Sequence, residues 1–545
     1  MNRVLRHVGE FAILVFTLLT ISHSPAAHAQ GHPSSPTTTS REAGCAALLG
    51  ADFSQIQDAP AQVSAAMLVQ SSEGTPGFCR VEGYVAPQVG FALLLPLSTW
   101  NGKLLEVGCG GWCGSADPER CDASLKRGYA CITTDMGHRG AGGLWFRNNL
   151  QGQIDFSYRA THVTAVAGKA IASRFYGNDP RLSYFMGCST GGYQGLVEAQ
   201  RFPWDFNGIV AGAPDMDESD LAMRGLWIKR NFLDEHGRPL FDSDALQLIH
   251  RAALKQCTLG DGLEDGVVRD PVGCKFESRQ LECKGNEKKA GCLSARQVRA
   301  LTAIYGNPET SDGKTISTRG VLPGSELLWS HSFETTWGDI YFRDTALLAV
   351  AGKEWTSSDF DFDRDYKRTG AGVIFNDTNP DLRRFKAAGG KLISYQGAND
   401  TLEMPGAIVD YYETVERTMG GRTATQDFFR LFVVPGMNHC TGGDGAFAID
   451  YLSYLEAWVE HRNAPDKLIG AHVSDRYLLT QPSKWFGSDA SPDDRMWEAA
   501  FGLEFPLSTA IPVQFTRPVY PYPTVVEYSG HGDRNSAGSF RPTLR

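Results

Sequence analysis

The stretch Tyr184-Phe185-Met186-Gly187-Cys188-Ser189-Thr190-Gly191-Gly192 constrains this chain more than any other. Two aromatics and a methionine read as the end of a buried strand, Gly-x-Ser-x-Gly as a tight turn, and Thr190 through Arg201 as a helix. A strand that turns so sharply into a helix forces Ser189 into a strained backbone conformation, so only small residues fit at 187 and 191. The Ser189 hydroxyl then stands at the end of a central strand, with a helix N-terminus behind it. A lone Gly-x-Ser-x-Gly is a common turn. Between an apolar strand and an amphipathic helix, it marks Ser189 as a candidate nucleophile.

The rhythm around that turn extends it to a fold. Lys103 to Gly108, Gly128 to Thr134 and Phe206 to Gly212 read as strands, with Phe156 to Tyr176 carrying apolar residues at helical spacing between them. From about residue 217 to 384 the alternation breaks into loops with four cysteines and Trp329, Trp337 and Trp355. So long a stretch is no bare loop, and it reads as a lid whose aromatics could wall a substrate pocket. Strand and helix signals return at Lys391 to Gln396, Ala407 to Met419, Phe428 to Val434 and Ala446 to His461. The class is therefore α/β: an α/β-hydrolase core in two parts, 45–216 and 385–545 with its tail, and a lid domain at 217–384 between them.

Within that frame Asp400 and His439 sit on loops just past strand ends, and the chain order Ser, Asp, His is the one such a core uses. Asp410 and Asp450 fall within helix patterns and so read as facing solvent, His461 ends a helix, and His138, which precedes the nucleophile at a strand end, reads as structural. His439 would take the Ser189 proton, Asp400 would orient the imidazole, and backbone N–H groups of Thr190 with Gly110 or Gly111 would bind the oxyanion. Arg343 is a candidate for holding an acidic group of the substrate.

Residues 1–29 read as a secretory signal: Arg3 and Arg6, an apolar Phe11 to Ile21, then Ala27-His28-Ala29. Residues 30–44 read as a disordered leader. No other run is apolar enough to span a membrane, and a net charge of −10 without basic runs argues against nucleic acid. Export places the twelve cysteines in an oxidising compartment, where disulfides are expected. Cys45 and Cys79 are counted among them, and Cys257 with Cys274 and Cys283 with Cys292 are natural loop staples. Spacing leaves Cys109, Cys113, Cys121 and Cys131 open. Cys188 precedes the nucleophile and Cys440 follows the histidine, so a bond between them would tether the two. The segment Asp261 to Val267 has the oxygen-rich, glycine-curved character of a calcium loop.

Cys188-Ser189, Asp400 and His439-Cys440 resemble the CS-D-HC motif of the tannase and feruloyl esterase family. The likeness continues through Tyr158-Arg159-Ala160, Tyr176-Gly177, Gln194 to Leu196, Glu198 to Arg201, Asp205 to Pro214 and His439 to Gly443. It implies a catalytic disulfide Cys188–Cys440 and a calcium site in the lid, matched here at Cys257, Asp261, Gly262, Asp265 and Gly266. Carbonyls of Leu263 and Val267 would complete that site. Thr258 stands where the family has its first Asp, which leaves one carboxylate fewer. A terminal disulfide of the family is absent at both ends, with Tyr520 and Pro542 in its place, so a looser tail is expected. The family's substrates would be small aromatic esters: hydroxycinnamates, gallates or terephthalate half-esters. Acyl transfer by the same triad is the alternative chemistry, and a binding protein that keeps only the hydrolase shape predicts a degraded triad, which this is not.

Overall fold

A computed structural model describes residues 38–544, apart from 73, 258–259, 261, 285–290, 335–336, 348–351, 353 and 488–489. Residues 1–29, read above as a signal, and most of the expected leader lie outside the described residues. The leader was expected to reach residue 44, but a helix already covers Thr38–Ala47. Arg41 fastens it by donating from its guanidinium to the Leu97 carbonyl at 2.7 Å.

One nine-stranded sheet organises the described chain. Its strands are β1 (Ala61–Val69), β2 (Phe78–Val85), β3 (Val89–Pro96), β4 (Lys103–Val107), β5 (Ala130–Thr134), β6 (Leu182–Cys188), β7 (Gly208–Gly212), β8 (Lys391–Gly397) and β9 (Phe429–Val434). They lie in the order β1-β2-β3-β5-β4-β6-β7-β8-β9. Pairings from β1 to β5 across β3 are antiparallel, and from β5 through β9 every pairing is parallel. Parallel strands are covered on both faces and so read as unbroken apolar runs, which is why β5 and β7 are buried throughout. The antiparallel β1–β3 went unread from the sequence, although the run Phe91 to Leu97 carried the signal.

The insert leaves after β7 and returns at β8, and those strands are direct neighbours, so it bulges from the C-terminal edge of the sheet without breaking it. Its helices Glu218–Phe232, Ser243–Gln256 and Ala295–Tyr305 share one apolar cluster with residues of the sheet and of the helix Ala160–Tyr176. Trp329 was expected as a candidate pocket wall; it is fully buried in that cluster, near Phe333 and Phe241. Large apolar side chains of the insert are needed first to pack it into the core it shares with the sheet.

Around Ser189 the backbone is packed to its limit. Ser189 sits at φ 62°, ψ −124°, in the strained conformation the turn was expected to impose. A Cβ on Gly187 would lie 2.6 Å from the Gly191 carbonyl oxygen, and one on Gly192 would lie 2.0 Å from that of Gly212. Gly192→Ala is expected to lower stability by about 1–3 kcal/mol, because the helix must back away from β7. Chemical denaturation measures this, and an unchanged midpoint would show that the turn tolerates the methyl.

Candidate active site

Strand β6 carries Ser189 to the sheet edge, and the loops after β8 and β9 carry Asp400 and His439 to the same edge. His439 Nδ1 lies 2.9 Å from Asp400 Oδ2. Asp400 is fully buried, and three further donors hold its carboxylate in place. Leu402 and Glu403 give backbone N–H groups to Oδ1 at 2.9 and 3.0 Å, and Gln396 gives its side-chain amide to Oδ2 at 2.9 Å. A carboxylate so held accepts the imidazole Nδ1–H and leaves Nε2 as the basic nitrogen. Behind the ring, Trp497 donates its indole N–H to the His439 carbonyl at 2.6 Å.

The bridge Cys188–Cys440 joins the turn to the histidine loop, with Cα atoms 5.9 Å apart across a sequence separation of 252. It sets Ser189 and His439 one residue from either end of a single covalent link. The Ser189 hydroxyl makes its hydrogen bond to Glu403 Oε1, a long one at 3.5 Å, rather than to the imidazole. Sequence reasoning missed Glu403. It lies three residues past Asp400 on the same loop, and no periodicity marks it.

Glu403 belongs to an acidic layer under the serine. The Tyr341 hydroxyl of the insert lies 2.6 Å from Asp215 Oδ2 and 2.5 Å from Glu218 Oε1, donating to one and able to accept from the other when that carboxyl is protonated. Burial pushes the Glu403 carboxyl well above the usual carboxylate range, and Asp215 and Asp400 add repulsion. Burial does the same to Glu218, with Asp215 beside it. Burial of this kind favours the protonated carboxyl, which can donate a hydrogen bond as well as accept one.

Over Ser189 lies the loop after β4. Its Cys109–Cys113 bridge is one of two pairings that spacing had left open; the other is Cys121–Cys131. Thr190 donates its hydroxyl to the Gly111 carbonyl at 2.7 Å and Gln194 accepts the Cys109 N–H at 3.0 Å, which fixes the loop against the helix. A Cβ on Gly110 or Gly111 would meet nothing within 4 Å, so space is open above both. Among the described residues, no hydrogen bond within the chain engages either N–H. The remaining bridges are Cys45–Cys79, Cys257–Cys274 and Cys283–Cys292, and no cysteine is free.

Other candidates fall elsewhere. His138 stacks on Trp145 at 3.7 Å, and burial lowers its pKa to about 4, so it is a neutral core residue. Arg343 does not offer its guanidinium to a ligand; Asp344 holds it through Nε at 2.9 Å and Nη2 at 2.6 Å. Of the expected calcium ligands, Thr258 and Asp261 lie outside the described residues. Asp265 is paired with two arginines, Arg269 and Arg517, and the Leu263 carbonyl accepts from Arg269. A different group, His162, Glu198 and Asp205, brings candidate metal-ligating atoms within 4.8 Å of one another. His162 and Asp205 line a cleft of about 1080 Å³, with Glu198 buried behind them near the C-terminal end of the helix Thr190–Arg201, remote from Ser189.

The family profile described as tannase and feruloyl esterase matches residues 73–542. The chain belongs to the tannase and feruloyl esterase family. It is with that a carboxylic ester hydrolase. An uncharacterised esterase of Xanthomonas campestris pv. campestris is 33% identical, over 82% of this chain and 87% of its own length. The mono(2-hydroxyethyl) terephthalate hydrolase of Piscinibacter sakaiensis is 31% identical, over 88% of this chain and 86% of its own. Feruloyl esterase B from Aspergillus oryzae superposes with a TM-score of 0.75 at 25% identity, covering 92% of this chain and 100% of that one. If the family's bridge positions the histidine loop, replacing Cys188 and Cys440 together by Ser should lower ester hydrolysis at least about tenfold. It should also remove roughly 2–5 kcal/mol of stability. Turnover kinetics and denaturation of the same sample separate the two effects.

Proposed function

We propose that the chain is an exported serine esterase that cleaves esters of aromatic acids through an acyl-enzyme on Ser189. The observation that carries this reading is the Asp400–His439 pair, linked through Cys188–Cys440 to the strained turn that presents Ser189. When substrate enters, the Ser189 hydroxyl rotates from Glu403 toward His439 Nε2. Its proton passes to the imidazole as Oγ bonds to the ester carbonyl carbon. Asp400 stabilises the imidazolium that forms. The oxyanion falls under the N–H groups of Thr190 and of Gly110 or Gly111, and one such donor is worth about 2.7–4 kcal/mol in the transition state. Collapse returns the proton from His439 to the leaving alcohol. Water, activated by the same nitrogen, then releases the acid.

Export is supported by the signal-like residues 1–29 and by six disulfides that leave no free cysteine. No described helix is long and apolar enough to cross a membrane. The insert serves as the lid: besides Tyr341, its Ser332 hydroxyl meets the Thr401 hydroxyl at 2.6 Å, next to Asp400.

The polar groups near Ser189 favour neutral phenolic esters. Glu403 reaches Ser189, Asp215 and Glu218 are buried close to Glu403, and the candidate counter-ion Arg343 is already bound by Asp344. A terephthalate half-ester would bring a carboxylate whose candidate partner Arg343 is already engaged, whereas feruloyl or galloyl esters bring hydroxyl groups that protonated or ionised carboxyls can both meet. On the purified mature protein, kcat/KM for methyl ferulate or methyl gallate should exceed that for mono(2-hydroxyethyl) terephthalate at least about tenfold, a difference of 1.4 kcal/mol or more in transition-state binding. The reverse order rejects the substrate assignment alone. Ser189→Ala should abolish turnover of para-nitrophenyl acetate without unfolding, and retained turnover rejects the mechanism.

A further inference from the structure

The loop expected to hold calcium carries its own cations. Arg269 Nη1 donates to Asp265 Oδ1 at 3.1 Å, and Arg517 Nη2 donates to Asp265 Oδ2 at 3.3 Å. Arg269 also reaches the Leu263 carbonyl, 3.4 Å from each terminal nitrogen. One guanidinium thus spans a carboxylate and a carbonyl that were both expected on the ion. The two arginine side chains are only 4% and 10% exposed. Arg517 is further fixed between the rings of Phe515 and Phe540, 4.4 Å from each centroid, and donates to the Thr516 carbonyl at 3.0 Å.

A calcium ion takes six to eight oxygens and relies on anionic carboxylates. Seated on Asp265, it would touch two fixed positive charges in a half-buried site, where repulsion is poorly screened. With Thr258 in place of the family's first Asp, the loop has also lost a carboxylate. The described residues do not fit the ion.

We infer that Arg269 and Arg517 take the place of the cation, forming a staple of protein groups that holds the insert loop to the C-terminal strands without calcium. Leu263 packs with Val526, Tyr528 and Phe540, and Tyr520 lies against them. Tyr520 and Pro542 are the positions at which the family's terminal disulfide is missing. Here Pro542 is in register with Val526 in the hairpin Val525–Tyr528 and Phe540–Thr543. The tail expected to be loose is held by this staple and its apolar patch. On the other side, Val267 backs onto Gly436, where a Cβ would meet Val267 Cγ1 at 3.1 Å, on the loop that leads to His439. The staple therefore braces the histidine loop from behind.

Metal analysis and melting of the purified mature protein test this. After dialysis against metal-free buffer, calcium should be well below one per chain. The Tm should agree within about 1 °C between excess EDTA and millimolar calcium, since a ligand that does not bind shifts nothing. Arg269→Gln and Arg517→Gln should each lower Tm by roughly 3–8 °C, and the double variant by less than the sum, because both act on one carboxylate. A stoichiometric calcium that survives dialysis overturns the inference. So does a marked fall in wild-type Tm on adding EDTA, or an unchanged Tm in Arg269→Gln. Should the variants fail to fold, metal content and chelator response of the wild type decide it.

Discussion

The bond between Cys188 and Cys440 is the constraint on which the rest of this site depends. A histidine on a loop 250 or so residues downstream of its serine is otherwise positioned only by packing, and packing lets loops move. Here the bridge leaves each functional side chain one residue from a covalent crosslink. The strain at Ser189 and the positive φ of 63° at Cys440 are both held at the ends of that link. The sheet supplies direction, since β6, β8 and β9 all deliver their loops to one edge. The bridge supplies register between two of those loops.

Electrostatics then sets what the site can accept. Taking Glu218 and Glu403 out of water next to Asp215 and Asp400 favours their protonated forms, which lowers the charge of the acidic layer beneath Ser189. Its hydroxyl and carboxyl groups can donate as well as accept. The insert brings Tyr341 into this layer and so reaches the groups next to Ser189. The opposite solution operates at the far loop, where guanidinium groups bring charge to a carboxylate that stays partly solvated. In both places the chain balances buried charge with its own groups, by proton or by arginine.

Much of this was legible. The strand, turn and helix at 182–201, the return of the sheet at Lys391 and the loop positions of Asp400 and His439 follow from periodicity and glycine placement, which are local properties. Short-range bridges such as Cys283–Cys292 are read the same way. Illegible were the facts that join distant segments: Glu403 under Ser189, Arg517 on Asp265, Asp344 holding Arg343, and Trp329 at the centre of the insert. A side chain's partner across the fold leaves no trace in the spacing of its own neighbours.

The amino-acid order by itself determined the class of core, the nucleophile turn and the sequence in which the functional loops are met. It could do so because glycine tolerance and apolar period act over a few residues. Tertiary structure alone decided which acid faces the serine, which charges are already spent on one another and whether the acidic loop meets arginine, because Coulomb and hydrogen-bond energies depend on distances that only the folded chain sets.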